Sequence, residues 1–214
     1  MGEGMLVLPA DVLKPGRYGA RMPGGSAVRL GERPLGELMQ LSGRGNGFSN
    51  RLGSVLSGLG VDSAPDFGEV AVGDNGLEVL RLAPDRLWLR SPPREAGVRQ
   101  AKALDLALAA NGLDLEVMWK LDLSQSRAVI VIEGAGEGCG AEDLLARLIS
   151  LDCDASMFEP GSFEETVLHD VSVLVQRKGL AEFEILVPVT WAQSLWSYVR
   201  EAALPLGYEI SSSN

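Results

Sequence analysis

In the second half of the chain, the spacing of the hydrophobic residues alternates between patterns typical of strands and of helices. Residues 127–133 (RAVIVIE) are apolar throughout their middle, which is typical of a strand covered on both faces. Residues 141–149 place their apolar side chains at helical spacing, so a helix follows that strand. Residues 166–176 and 183–189 then alternate on either side of Lys178-Gly179, a pattern that predicts a β-hairpin.

The end of this half carries the signals of one more helix and one more strand. Thr190 and Gln193 form a T-x-x-Q capping box for a helix through Ala203, and Pro205 and Gly207 end it. Residues 208–210 are expected to return as an edge strand.

The first half shows weaker signals of the same kinds. Leucine and valine recur at i, i+3, i+4 and i+7 over residues 52–59 and predict a helix, which Ser49 or Asn50 can cap and Gly60 can end. Further elements are predicted as follows: a short strand at 27–30, a hairpin of 77–82 and 86–90 around Pro84-Asp85, a helix at 95–111 and a strand at 117–121.

Strand, helix, two strands, helix and strand in this order are the split βαβ, or ferredoxin-like, plan. With the strand at 27–30 included, the first half follows the same order. We therefore predict an α+β fold of two ferredoxin-like halves that share a core. Residues 1–47 are interpreted as an extended Gly/Arg-rich arm, and 48–214 as one domain with halves at about 48–122 and 123–214.

Charge narrows the range of partners. The formal net charge is −10, which disfavours nucleic acid and anionic membrane surfaces. Residues 1–51 are basic, with seven basic and four acidic side chains, so the rest of the chain is strongly acidic. A basic segment of this kind can lie on the acidic body, lie on an acidic partner, or remain a flexible tail.

The composition also bears on the compartment. Apolar residues make up 46% of the chain, enough for a core, and no apolar run has the length of about 18–20 residues that a membrane span needs. The sequence shows no export signal, and Cys139 and Cys153 form no disulfide framework. We expect a cytoplasmic protein.

A glycine-rich stretch invites comparison with a dinucleotide-binding loop. Gly134, Gly136, Gly138 and Gly140 lie between a predicted strand and a predicted helix, and residues 136–141 satisfy a degenerate G-x-G-x-x-A pattern. However, Glu137 would place a carboxylate where a pyrophosphate would lie, and no second apolar strand follows the helix. A flexible connection is the preferred interpretation.

The side chains that could carry chemistry do not form a recognisable set. His169 shares its strand parity with Val167 and Val171 and is interpreted as a hydrogen-bonded core or interface histidine rather than a catalytic one. Cys139 and Cys153 have neither CxxC spacing nor a nearby histidine, which argues against zinc.

Hydroxyl, carboxyl and aromatic residues receive similar interpretations. Ser124 and Ser126 lack a nucleophile-elbow motif, and acidic residues at element ends are usually caps and turns: Asp122, Asp152 and Asp154. One aromatic-rich stripe of the last helix is expected to be mostly core, although it could anchor a partner: Trp191, Leu195, Tyr198, with Trp196 and Val199 beside it. No catalytic, cofactor-binding or metal-binding residue is assigned.

Several strings, in order and spacing, resemble the gamma subunit of heterotetrameric sarcosine oxidase. They are LAPDRLWL at 82–89, DLSQSR at 122–127, the leucine-rich stretch 141–151, FEPG at 158–161 and residues 183–199 with their Ser-Leu-Trp. The resemblance covers about residues 50–205 and extends to the folate-binding domain of the glycine-cleavage aminomethyltransferase, to which that family is related.

The resemblance implies a non-catalytic structural subunit of a four-subunit enzyme that oxidises sarcosine to glycine, with tetrahydrofolate as the one-carbon acceptor. It implies no cofactor on this chain. FAD, FMN, NAD and tetrahydrofolate would belong to larger flavin- and folate-binding subunits, and zinc to the smallest subunit. Two alternatives remain: a stand-alone folate-dependent aminomethyl or one-carbon transferase, and the small subunit of a related N-methyl amino acid dehydrogenase.

Overall fold

The fold is taken from a computed structural model that describes residues 7–9, 12–20, 27–92, 103–110, 116–135 and 140–210. Within these ranges the strands are β1 Gly16–Tyr18, β2 Val28–Arg33, β3 Glu37–Gly43, β4 Val70–Val72, β5 Glu78–Ala83, β6 Arg86–Ser91, β7 Met118–Asp122, β8 Arg127–Gly134, β9 Phe163–Leu168, β10 Val171–Gly179, β11 Glu182–Pro188 and β12 Tyr208–Ile210. The α-helices are α1 Gly45–Gly58, α2 Ala103–Ala110, α3 Gly140–Leu148 and α4 Ala192–Ala203.

The chain divides into two compact units that are interleaved in sequence. One contains the described residues of Pro34–Ser126, and the other contains those of Leu6–Arg33 together with those of Arg127–Asn214. Both units combine sheets with helices, which confirms the predicted α+β class. None of the helices in the described residues has the length and apolar character needed to span a membrane.

The first unit is built on a five-stranded antiparallel sheet in the order β4-β5-β6-β3-β7. Alternate residues of β3, β5 and β6 face α1 and α2 and form a core with them: Met39, Leu41, Val79, Leu87, Leu89, Phe48, Leu52, Val55, Leu56, Leu104 and Leu108. Helix α1 lies close over β3 because Gly43 has no side chain. A Cβ at Gly43 would lie 2.1 Å from Cδ2 of Phe48.

The second unit is built on a seven-stranded sheet in the order β1-β12-β2-β8-β11-β10-β9. Every neighbouring pair is antiparallel except β12 and β2, which run parallel. Helices α3 and α4 cover one face, and the core between them and the sheet includes Ile130, Ile132, Leu144, Ile185 and Trp196. Trp196 is fully buried and donates its indole N–H to the carbonyl of Val12 at 3.1 Å.

The prediction of an extended arm over 1–47 is wrong for the residues that the structure describes. β2 lies between β12 and β8, and β3 lies between β6 and β7, so both are interior strands. The backbone N–H groups of Val7 and Leu8 donate to the Glu32 carboxylate at 2.7 and 2.9 Å. The strand predicted at 27–30 therefore belongs to the seven-stranded sheet of the second unit. The place that it was expected to take in the first half is taken by β3.

Three smaller expectations are also corrected. The strand predicted over 166–176 is two strands, because His169 and Asp170 adopt positive φ angles of 47° and 65° and close a hairpin between β9 and β10. Neither α1 nor α4 has a side-chain N-cap, so Ser49, Asn50 and Thr190 do not cap them. β12 is not an edge strand, since β1 pairs with it.

The other predicted elements agree with the structure within the described residues. The 77–90 hairpin, the 117–121 strand, the 127–133 strand and the 141–149 helix appear within about two residues of their predicted bounds. Of the helix predicted at 95–111, the structure describes Ala103–Ala110, and the remainder lies outside the described residues.

Candidate functional site

Arg177 is a buried charge at the end of β10, with 1% of its surface exposed. Its Nε donates to the carbonyl of Gly179 at 3.1 Å, and its Nη1 donates to the carbonyls of Cys153 and Phe158 at 2.7 and 3.1 Å. Its Nη2 donates to Glu142 Oε1 at 2.9 Å and to the carbonyl of Leu180. We call Arg177, Glu142 and these four carbonyls the Arg177 cluster.

The Arg177 cluster connects three parts of the second unit. Glu142 lies in the first turn of α3, Cys153 and Phe158 lie in the segment between α3 and β9, and Leu180 lies in the turn between β10 and β11. The guanidinium also lies 4.8 Å from the ring centroid of Phe183. Because a planar guanidinium offers its donors in a fixed geometry, the cluster fixes these backbones relative to one another.

Burial and nearby charged groups together shift the pKa of the thiol beside this cluster. Burial raises the pKa of Cys153, and the nearby Asp152 and Glu142 carboxylates raise it further, while Arg177 lowers it by less. A thiol with a raised pKa is a poor nucleophile near neutral pH. Cys153 is thus suited to packing and not to nucleophilic catalysis.

A second ionic group, partly exposed and with Glu184 as its buried member, links three neighbouring strands of the same unit. Arg33 of β2 reaches past β8 to β11, where its Nη1 contacts Glu184 at 2.6 Å and its Nη2 contacts Glu182 at 3.0 Å. Glu133 of β8 lies 3.8 Å from Nη2. Burial opposes the charge of Arg33, but the two glutamates of β11 outweigh it and raise the arginine's pKa. Such a group holds strands together and offers no free base.

The structure places His169 differently from the prediction. It is exposed at the β9–β10 turn, and its ring stacks on Tyr198 of α4 with centroids 4.6 Å apart. The core part of the prediction is therefore wrong, because the parity argument assumed one unbroken strand through residue 169, and the interface alternative stays a prediction.

The predicted serine and aspartate side chains bond mainly within local turns, and Ser124 also binds the backbone of β3. Ser124 accepts a bond from the N–H of Leu38 at 3.0 Å, and its own N–H donates to Asp122 Oδ1 at 2.9 Å. Ser126 donates to the carbonyl of Leu123 at 2.7 Å. Asp152 accepts from the N–H of Asp154 at 3.0 Å. These bonds agree with the interpretation as caps and turns.

The glycine-rich stretch is described only at its two ends. Gly134 ends β8 and Gly140 begins α3, while Gly136, Glu137, Gly138 and Cys139 lie outside the described residues. A Cβ at Gly140 would lie 2.3 Å from the carbonyl oxygen of Ala27. The approach of the protein's own backbone therefore accounts for glycine at this position without a ligand.

The aromatic stripe of the last helix divides between core and surface. Leu195, Trp196 and Val199 are buried, whereas Trp191 is 52% exposed and Tyr198 is half-buried. Across the parts of the chain that the structure describes, no group of three or more His, Cys, Asp or Glu side chains is placed to hold a metal ion. The expectation that this chain holds no cofactor stays a prediction.

Sequence reasoning missed the buried Arg177 and the partly exposed Arg33. For Arg177 a signal existed, because residues 171, 173 and 175 share its parity in β10 and face the apolar core. A charged residue on that face must find partners inside the protein. For Arg33 the sequence offers no such signal, since the strands that pair around it are remote along the chain.

Two solved structures share this fold over most of the chain. A chain of the heterotetrameric sarcosine oxidase from Corynebacterium sp. U-96, in complex with pyrrole 2-carboxylate, matches with a TM-score of 0.71 and 24% identity, covering 91% of each chain. The glycine cleavage system aminomethyltransferase T from Bartonella henselae matches with a TM-score of 0.54 and 21% identity. That match covers 85% of this chain and 46% of the aminomethyltransferase, so this chain spans about half of its length. No family model and no curated protein matches the sequence.

Proposed function

We propose that this chain is a non-catalytic structural subunit, of the gamma type, in a heterotetrameric sarcosine oxidase. The complex would demethylate sarcosine to glycine, with tetrahydrofolate as the acceptor of the one-carbon unit. The observation that carries the proposal is the fold shared with a chain of a heterotetrameric sarcosine oxidase over 91% of both chains. The resemblance of the sequence strings at 82–89, 122–127 and 158–161 to the same family supports it independently of the fold.

The cofactors and partners of the proposal belong to the other chains. We propose that FAD, FMN, NAD and tetrahydrofolate are held by larger subunits and zinc by a small one. On this chain, the arginines of the buried group around Arg177 and of the partly exposed group around Arg33 bond to other groups of the same chain, which suits a structural role. We further propose a cytoplasmic complex that binds neither nucleic acid nor membranes, as the net charge of −10 favours.

The proposed duplication of a ferredoxin-like plan is supported by the strand orders. In the first unit, β7-β3-β6-β5 with α1 and α2 has the order of a split βαβ unit, and β4 is added at its edge. In the second unit, β12, β8, β11 and β10 with α3 and α4 have the corresponding order, and β2 lies between β12 and β8.

A stand-alone folate-dependent transferase is the alternative that the aminomethyltransferase likeness favours. The match covers 46% of that enzyme's chain. The small subunit of a related N-methyl amino acid dehydrogenase differs from the main proposal only in the substrate of the complex, so substrate profiling of the assembled enzyme separates the two.

The main proposal is tested by assembly. The chain is co-produced with the other three sarcosine oxidase chains of its own organism, and complexes with and without it are compared by size and by sarcosine-dependent peroxide formation. We expect it to co-purify in stoichiometric amounts and the isolated chain to form no peroxide. A complete, active oxidase that excludes the chain would contradict the proposal.

The transferase alternative is tested on the isolated chain. Calorimetric titration with tetrahydrofolate should show no binding at micromolar affinity, which corresponds to about 8 kcal/mol. Micromolar binding together with aminomethyl transfer would establish the alternative instead.

A further inference from the structure

The two-residue turn between β9 and β10 is strained and lies against α4. His169 and Asp170 both have positive φ angles, of 47° and 65°. These angles suit the twist of a hairpin, but they cost non-glycine residues free energy unless the surroundings stabilise them. The His169 ring stacks on the ring of Tyr198 in α4, with centroids 4.6 Å apart and an angle of 27° between the planes. The stack therefore joins the tip of the hairpin to the helix.

The hairpin that this turn closes lies at one side of its sheet. Among the described strands of the second unit, β9 pairs with β10 alone. His169 and Asp170 are exposed, and Tyr198 is half-buried against the core. Segments with exposed backbone hydrogen bonds open locally more readily than the interior of a sheet. A contact at the tip can therefore change how often this end of the hairpin opens.

The stacked ring belongs to the only histidine of the chain. Histidine is the side chain that ordinarily changes its charge between pH 5 and 8. A neutral imidazole on a tyrosine ring is an aromatic stack, whereas an imidazolium also gains the attraction of a cation to the face of the ring. At an exposed site that attraction corresponds to a factor of about two to five in an equilibrium constant. The strength of this contact therefore depends on the charge of His169.

The charged groups of the elements packed around the stack are mostly acidic near the ring. Asp170 follows His169 in the turn and is exposed. On α4, Glu201 lies three residues after Tyr198, which is a neighbouring position on the helix surface. Arg200 of the same helix donates its Nε–H to a hydroxyl group on β12 at 2.9 Å. The charged residues of β9 and β10 lie four or more residues from the turn: Glu164, Glu165, Arg177 and Lys178.

We propose that the stack of His169 on Tyr198 is a proton-sensitive contact that controls the tip of the β9–β10 hairpin. Protonation of His169 holds the tip more tightly against α4, and loss of the proton loosens it. The strained turn depends on the stack for its stability, so the change in charge acts at a position that opens easily. The inference goes beyond the proposed function, since it concerns the response of this chain to pH in any complex that it joins.

The test measures hydrogen exchange of the Leu168 and Val171 amides, which flank the turn, by NMR on the full chain between about pH 5 and pH 8. Exchange is corrected for the intrinsic effect of pH, and the amides of the interior strand β8 report global stability. The ring signal of the only histidine reports its charge in the same samples. In the wild type we expect protection of the two amides to be about two- to fivefold higher with His169 protonated than with it neutral.

Four variants separate the stack from other effects of pH. Tyr198→Leu removes the ring face, and His169→Asn removes the proton with a residue that tolerates positive φ. Both should abolish the pH dependence of protection. Tyr198→Phe keeps the ring face and Asp170→Asn removes only the neighbouring carboxylate, so both should retain it.

Three results would overturn the proposal. The first is equal protection of the two amides in the wild type with His169 charged and neutral. The second is a pH dependence that survives Tyr198→Leu, because it would come from a group other than the stacked ring. The third is a pH dependence that Asp170→Asn abolishes, because it would belong to that carboxylate.

Discussion

At the scale of single residues, Arg177 binds one carboxylate and four backbone carbonyls of the second unit. Its replacement by methionine keeps an apolar stem of similar length and leaves Glu142 and four carbonyls without their donor. Removing one partner of a buried ion pair costs about 3–5 kcal/mol. We expect Arg177→Met to lower the free energy of unfolding by about that amount, as measured by urea denaturation.

The control for Arg177→Met is Arg17→Met. Arg17 pairs with Glu209 at 3.5 Å, but its side chain is 73% exposed. Exposed pairs contribute at most about 1 kcal/mol, so this variant should be close to the wild type. If both variants lost the same free energy of unfolding, burial would not explain the contribution of Arg177 to stability.

Cys153 gives a prediction about pH. Burial raises the pKa of its thiol, so the folded state favours the protonated form and gains stability that is fully present below the unfolded pKa, about 8.5. That stability is lost as the pH rises through the folded pKa. In a Cys139→Ser variant, the free energy of unfolding should therefore decline above about pH 8.5. Adding Cys153→Ala to that variant should remove the share of the decline that comes from the Cys153 thiol.

The rate at which Cys153 reacts with a thiol reagent is an independent measurement of its burial. Native protein with Cys139→Ser should react at least about tenfold more slowly than denatured protein, because Cys153 is buried and little of it is thiolate. Rapid reaction in the native state would contradict the assignment of this thiol to packing.

At the scale of elements, local periodicity was sufficient to locate most helices and strands. The apolar run that became β8 and the stripe that became α3 needed only their own residues to be identified. The break at His169-Asp170 was missed because neither residue is glycine or asparagine, the usual signals of a two-residue hairpin turn. The absent side-chain caps on α1 and α4 show that packing can determine a helix start that motifs assign elsewhere.

The contact between α1 and β3 depends on one glycine. At Gly43, a Cβ would lie 2.1 Å from Phe48 Cδ2 and 2.6 Å from the carbonyl oxygen of Val117. Because Phe48 is buried and Val117 contributes backbone, neither can move easily. We expect Gly43→Ala to destabilise the protein by about 1–3 kcal/mol in urea denaturation.

Gly31 is the matched control for Gly43. It also lies in a strand, and a Cβ there would meet nothing within 4 Å. Gly31→Ala should leave stability unchanged or raise it by up to about 1 kcal/mol, through the lower entropy of the unfolded chain. Greater loss from Gly31→Ala than from Gly43→Ala would overturn the packing argument.

At the scale of the whole molecule, the topology of the sheets lay beyond sequence reasoning. The α+β class follows from the alternation of helical and strand spacing of the apolar residues. However, β2 pairs with β8, which begins almost 100 residues later, and with β12, which begins 180 residues later. Such long-range pairing leaves no local signal. The same limit hid the ionic group around Arg33, whose partners come from β8 and β11. The Gly/Arg-rich composition of residues 1–47 suggested an arm because glycine weakens any strand pattern.

Deletion of residues 1–47 tests this topology directly. The deletion removes β2 from between β12 and β8 and removes β3 from between β6 and β7, so each sheet is cut at an interior strand. The exposed strand edges and the opened cores leave neither unit with a complete hydrophobic cluster. We expect the truncated chain to lose cooperative urea unfolding and dispersed amide resonances. Deletion of residues 1–5, which precede every described element, is the control and should preserve both. A cooperative, native-like transition in the chain without residues 1–47 would mean that these strands are dispensable additions and that the body at 48–214 folds by itself.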